Sequence, residues 1–252
     1  MIHSFLLIGQ SNAAGRGFLT DAGPLDTLGG RLKVLRNGLW ISMYRPVNPD
    51  RHFSGTCFAE SFAKEYALAH NDISVGIIPC ADGGTQLAQW LPGEILFDNA
   101  VNCAKLAMRS SRLKGILWHQ GEGDCREERC AVYSERFSFM INALRKELDC
   151  PDIPVLVGGL GDYLANYNSS PYIPTYYSKI NEILEDIGKS TSNCAFVSAV
   201  GLGANPDNLH FSAPALDEFG IRYYKAYEAL KHIDDNEITP RETTDRTALE
   251  LL

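Results

Sequence analysis

The chain has 252 residues, 45% of them hydrophobic, enough to bury one large core, and it reads as a single domain over residues 1–233 with a charged, aromatic-poor tail at 234–252. Its 23 Lys and Arg against 31 Asp and Glu leave a formal net charge of -8, and the basic residues are scattered rather than gathered into a stripe, which argues against a nucleic-acid partner. No stretch approaches the roughly 20 apolar residues that cross a bilayer, and seven cysteines, odd in number and without a C-x-x-C pair, argue against a disulfide framework or a zinc site.

Short apolar runs then alternate with longer amphipathic ones. Residues 2–8 read as a buried strand that leads directly into Gly9-Gln10-Ser11-Asn12 rather than to a signal-peptide cleavage site, so a cytoplasmic protein with reduced thiols is expected. At 31–44, Arg36-Asn37-Gly38 between two β-prone runs signals a tight hairpin, read as an inserted ribbon. A helix at 58–70, a strand at 73–78 and a helix at 99–110 follow, then a strand at 115–118 and a helix at 131–148. The pattern closes with a strand at 155–158, a helix at 176–187, a strand at 195–198 and a helix at 214–231 that carries Pro214 near its first turn. About five βα steps emerge, the rhythm of an α/β fold with a parallel sheet and helices on both faces.

In such a sheet ligands bind beyond the carboxyl ends of the strands, so the residues just after each apolar run carry the functional signal. Those positions hold Gly9-Gln10-Ser11-Asn12, then Ala81-Asp82-Gly83-Gly84-Thr85, then His119-Gln120-Gly121-Glu122-Gly123-Asp124, and finally Asp207-Asn208-Leu209-His210-Phe211. A serine hydroxyl becomes a useful nucleophile when a base removes its proton, and His210 is the candidate base for Ser11. Asp207, three residues earlier, can hold the other imidazole nitrogen, while Glu122 is the alternative carboxylate for that task. An oxyanion hole could be assembled from the Ser11 N–H, an N–H of Gly83 or Gly84, and the Gln120 amide. Gln120 could instead satisfy buried backbone groups, and His119 and Asp124 are read as shaping its loop, with Gln10 in a supporting place. Trp90, Arg45 and Tyr163 lie in segments able to line a pocket, with aromatic faces and a planar donor of the kind that suits carbohydrate. His3, His52, His70 and His232 have no ligand pattern around them, so no metal and no cofactor is expected.

Taken together, the four blocks resemble the SGNH hydrolase superfamily, and within it the sialate O-acetylesterase and family 6 carbohydrate esterase group. G-Q-S-N is matched by residues 9–12, the glycine-rich block by Gly83-Gly84-Thr85 with Trp90 downstream, H-Q-G-E-x-D by residues 119–124 and D-x-x-H by Asp207 to His210. Two positions depart from the pattern: Gln120 stands where the superfamily has an oxyanion Asn, as in the carbohydrate esterase branch, and Ala13 replaces the Met that often follows G-Q-S-N. The resemblance implies a flavodoxin-like three-layer α/β/α sandwich. It also implies removal of acetyl groups from a small-molecule or oligosaccharide ester, such as acetylated sialic acid or a xylo-oligosaccharide, with Ser11, Asp207 and His210 as the catalytic set. A short-chain lipid esterase or acyltransferase on the same scaffold, and a sugar-binding protein without turnover, are the competing readings.

Overall fold

The computed structural model describes residues 1–230. In chain order the strands are β1 (Ile2–Gly9), β2 (Leu32–Arg36), β3 (Leu39–Ser42), β4 (Ser74–Pro79), β5 (Arg112–His119), β6 (Val155–Gly158) and β7 (Cys194–Val197). The helices are α1 (Ser11–Ala14), α2 (Ala59–Ala69), α3 (Ile95–Ala107), α4 (Glu127–Glu147), α5 (Tyr172–Ser190) and α6 (Ala213–Ala229).

One seven-stranded sheet runs β3-β2-β4-β1-β5-β6-β7, and every neighbouring pair except β2 and β3 is parallel. Side chains of β1 alternate between two cores: Leu6 and Ile8 pack with α3, α4 and α5, whereas Phe5 and Leu7 pack with α2 and α6. Both faces are therefore covered, giving a three-layer α/β/α sandwich in which Phe5, Leu6, Leu7 and Ile8 of β1 and Ile116, Leu117 and Trp118 of β5 form continuous buried apolar runs rather than alternating ones. The long helix α4 starts with Glu127 and Glu128 and ends with Arg145 and Lys146, the charge polarity that a helix dipole favours.

The sheet is wider than the expected five strands because the ribbon at 31–44 is not a separate insertion. Asn37 and Gly38 turn with φ of 49° and 79°, as a tight hairpin requires. Its first strand then pairs in parallel with β4, Lys33 opposite Gly76, and buries Leu32 and Val34 completely. Gly76 is the accommodating residue, since a Cβ there would lie 2.4 Å from the Trp40 ring. Helices α3, α4 and α5 each begin about a turn before the expected start; in α4 the opening residues Glu127, Glu128 and Arg129 are polar and carry no apolar periodicity. Among the described residues no helix is long and apolar enough to cross a membrane. His232 and the tail at 234–252 lie outside the described residues.

Candidate active site

Strand β1 lies between β4 and β5, so its carboxyl end opens where the chain connections diverge, the place where an open α/β sheet forms its crevice. Gly9 ends the strand with φ of 127°, and a Cβ there would sit 2.1 Å from the His119 carbonyl oxygen of β5, so only glycine lets the chain turn this close to its neighbour. That turn delivers Ser11 as the first residue of α1.

The loop between β7 and α6 brings its side chains to the same spot. His210 Nε2 lies 3.0 Å from Ser11 Oγ, and His210 Nδ1 lies 2.6 Å from Asp207 Oδ2. The second carboxylate oxygen, Oδ1, accepts the backbone N–H groups of Leu209 at 2.9 Å and His210 at 3.0 Å. Partial burial works against ionisation of Asp207, yet these two N–H groups and the imidazole outweigh it and hold the carboxyl below the usual range. Such a relay can move a proton from the serine hydroxyl to the imidazole, with a fixed negative charge behind it.

Glu122, the alternative carboxylate, does not meet the imidazole. Its Oε1 accepts from Asn12 Nδ2 at 2.6 Å, and its Oε2 is buried with no partner among the described residues.

Near Ser11 the candidate oxyanion donors divide clearly. Gly83 donates its N–H to Asp50 Oδ2 at 2.8 Å and is thereby occupied. Gly84, with φ of 82°, and Ser11 donate their N–H groups to no described residue. Gln120, the side chain expected to donate to the oxyanion, has its amide engaged by neighbouring groups. It is completely buried, and its Nε2 contacts Gln10 Oε1 at 3.1 Å, the Thr85 carbonyl at 3.2 Å and Asp124 Oδ2 at 2.6 Å, while its Oε1 accepts from Tyr133. Gln10 has the complementary arrangement. Its Oε1 accepts from Gln120 and from the Gly121 and Gly123 N–H groups, whereas its Nε2 has no partner among the described residues. The free amide beside Ser11 thus belongs to Gln10.

His119 is fully buried with Nε2 on the Gly159 carbonyl at 3.1 Å, and burial depresses its pKa, so it is held neutral. Asp124 accepts from Leu87 N and Gln120, and burial raises its pKa. Of the residues expected near a sugar, Trp90 is 1% exposed and donates to Thr85 Oγ1, which makes it a core residue. Tyr163 lies against the 207–211 loop, its hydroxyl 3.5 Å from the Leu209 carbonyl. Arg45 is held by Glu60 at 2.7 Å and lines a separate cavity with Gly23, Thr56, Pro214 and Asp217.

Sequence reasoning missed Arg16 and Asp50, a bidentate pair at 2.9 and 2.7 Å whose side chains are 5% and 3% exposed. Asp50 is the group that fixes Gly83, and nothing in the spacing of an isolated Asp in a loop announces that. Among the described residues no group of His, Cys, Asp and Glu is arranged to hold a metal ion.

Residues 1–229 match the family described as carbohydrate esterase, sialic acid-specific acetylesterase. The chain is 26% identical over 246 residues to the probable carbohydrate esterase At4g34215 of Arabidopsis thaliana, covering 88% of this chain and 89% of that protein. The crystal structure of that plant protein superposes with a TM-score of 0.76 at 25% identity, covering 90% of this chain and 98% of the other. NanS superposes with a TM-score of 0.68 at 18% identity, covering 90% and 96%, which is a likeness of fold. So is the match to XAC1771, a carbohydrate acetylesterase from Xanthomonas citri, with a TM-score of 0.66 at 19% identity over 90% of this chain and 56% of that one.

Proposed function

The chain belongs to the carbohydrate esterase, sialic acid-specific acetylesterase family and is an ester hydrolase, and from that membership we propose that it removes O-acetyl groups from a sugar through an acetyl-serine on Ser11. The observation that carries this reading is the relay in which Asp207, His210 and Ser11 stand 2.6 and 3.0 Å apart.

In the first half-reaction the Ser11 oxygen attacks the acetyl carbonyl while His210 Nε2 takes the hydroxyl proton, and Asp207 stabilises the imidazolium that forms. Negative charge gathers on the former carbonyl oxygen, where the Ser11 and Gly84 N–H groups and the Gln10 amide are the candidate donors. Loss of one such donor typically costs about 100- to 1,000-fold in rate. Collapse of the tetrahedral intermediate breaks the bond to the sugar oxygen, which leaves with the proton held by His210. Water then gives a proton to His210 and attacks the acetyl-serine, releasing acetate and restoring Ser11.

The substrate is a small acetylated sugar or oligosaccharide, with acetylated sialic acid and acetylated xylo-oligosaccharides as the two classes to compare. Ser11→Ala is expected to abolish hydrolysis of p-nitrophenyl acetate and of whichever acetylated sugar the parent prefers. Parental turnover by that variant would overturn the mechanism, and preference for long acyl chains over acetyl would move the substrate to lipids.

A further inference from the structure

Beside Ser11 lies a buried carboxyl group that the ester chemistry does not use. Glu122 is 4% exposed, and its side chain's one hydrogen bond among the described residues is to the amide of Asn12, itself 1% exposed. Asn12 in turn grips the 207–211 loop on both sides of the imidazole. Its Oδ1 accepts the Phe211 N–H at 3.1 Å, and its Nδ2 donates to the Leu209 carbonyl at 3.2 Å. The second hydrogen of Nδ2 is the one that Glu122 Oε1 takes at 2.6 Å. Both hydrogens of Nδ2 and the Oδ1 oxygen are therefore engaged.

Resting on the esterase reading above, we propose that Asn12, locked in orientation by Glu122, is the positioning residue that sets the His210 ring against Ser11. The physical reason is the shortness of the path. Asn12 follows Ser11 within α1, so its grip on residues 209 and 211 ties the base to the nucleophile's own helix rather than through the breadth of the sheet. Asp207 fixes the same loop through the Leu209 and His210 N–H groups, leaving the Leu209 carbonyl and the Phe211 N–H to Asn12.

Glu122 supplies what the Asn12 amide alone lacks. A carboxamide can turn over about its last bond, and a turned Asn12 would set oxygen against the Leu209 carbonyl and NH2 against the Phe211 N–H. With Glu122 accepting the remaining hydrogen, the turned form would also face oxygen with oxygen at that third contact. Only one orientation satisfies all three neighbours.

The test compares Asn12→Ala, Asn12→Asp, Glu122→Gln and the double variant Asn12→Asp with Glu122→Gln. Two readouts serve: the rate at which a fluorophosphonate probe labels Ser11, and kcat and KM for p-nitrophenyl acetate. A misplacement of about 1 Å in a reacting pair costs on the order of 100-fold, so Asn12→Ala is expected to lower labelling and kcat by about that factor, with KM within roughly threefold. Asn12→Asp sets two carboxyl groups face to face and is expected to be at least as slow. In the double variant the amide introduced at position 122 donates to the new carboxylate, which still accepts the Phe211 N–H but now faces the Leu209 carbonyl, so about tenfold of the loss returns and the remainder does not. Glu122→Gln alone keeps an acceptor for Asn12 and stays within roughly threefold of the parent.

The proposal is overturned if Asn12→Ala and Asn12→Asp label at the parental rate or if the double variant is no faster than Asn12→Asp. It is also overturned if the losses follow melting temperature across the set. A parent enzyme that the probe does not label at Ser11 overturns the esterase reading and this proposal together, whereas a labelled parent with unaffected variants overturns this proposal alone.

Discussion

Replacing Asp207 with Asn tests the relay more sharply than replacing it with Ala. Asp207 Oδ1 accepts two backbone N–H groups, from Leu209 and His210, so an Asn in its place must keep its carbonyl oxygen there and turn its NH2 toward His210 Nδ1. The imidazole then accepts at Nδ1 and carries its proton on Nε2, the tautomer that cannot take a proton from Ser11. In addition the variant removes the charge that stabilises the imidazolium. With charge centres about 4 Å apart and a carboxylate that is 46% exposed, an effective dielectric between that of a protein surface and water gives about 1–4 kcal/mol. That range corresponds to a factor of about 5 to 1,000 in rate. The wrong tautomer adds to this, and in a serine triad the combined loss is of order 10⁴. Asp207→Asn is therefore expected to lose about 10³- to 10⁴-fold in kcat/KM for p-nitrophenyl acetate, and Asp207→Ala less, because it imposes no tautomer. Matched thermal melts would separate this from unfolding. Activity of Asp207→Asn within tenfold of the parent would refute the reasoning, and so would a Glu122→Ala variant slower than Asp207→Asn.

Two further outcomes follow from the geometry. Gln10→Glu keeps an acceptor for the Gly121 and Gly123 N–H groups but exchanges the free NH2 for oxygen, so kcat for p-nitrophenyl acetate is expected to fall about 100-fold or more. A Gln10→Glu enzyme of parental kcat would remove Gln10 from the oxyanion site. For stability, burial opposes ionisation of Asp50, but Arg16, Ser54 and the Gly83 N–H outweigh it and hold its pKa below the ordinary value. A depressed carboxylate stabilises the fold above its unfolded pKa of about 3.9, and this contribution disappears as pH falls through the folded value. Asp50→Asn also leaves the buried Arg16 unpaired, at a cost of about 3–5 kcal/mol. Thermal melts should show the parent-to-variant gap constant above about pH 5 and shrinking below about pH 4, and a gap independent of pH would contradict the assignment.

The sequence makes some levels of this molecule visible and hides others. Val155–Gly158 is found to the residue because a short apolar run between turn signals is a local pattern, and the Asn37-Gly38 turn is local too. The partner of the hairpin is not, since the pairing of Lys33 with Gly76 joins distant segments and leaves no trace in either of them. Helix starts are obscured for the reason that makes them stable: the opening turn of α4 is polar and charged, while periodicity reports only apolar residues. At the site, Ser11, Asp207 and His210 are brought together as the four blocks lead one to expect. What the blocks could not convey is orientation. Gln10 and Gln120 are the same residue type in adjacent loops, and which amide is free depends on Tyr133, Asp124 and Thr85, whose contacts with Gln120 exist only in three dimensions. The choice between Gly83 and Gly84 likewise turns on Asp50, a residue outside every motif.

The strand order has a consequence for how such a molecule comes into being on the ribosome. The strand that leads into Ser11, the proposed nucleophile, occupies an interior position, so both of its hydrogen-bonding edges stay vacant until β4 and β5 have been synthesised. His210, the proposed base, is further off still, 199 residues beyond Ser11, a delay of roughly 10–40 s at ordinary elongation rates. For that interval an apolar strand waits with unpaired edges, an invitation to misassociate with other nascent chains. Demand for chaperone capture should therefore be greatest early in translation, and hydrolytic competence should arrive abruptly once the segment containing His210 clears the exit tunnel.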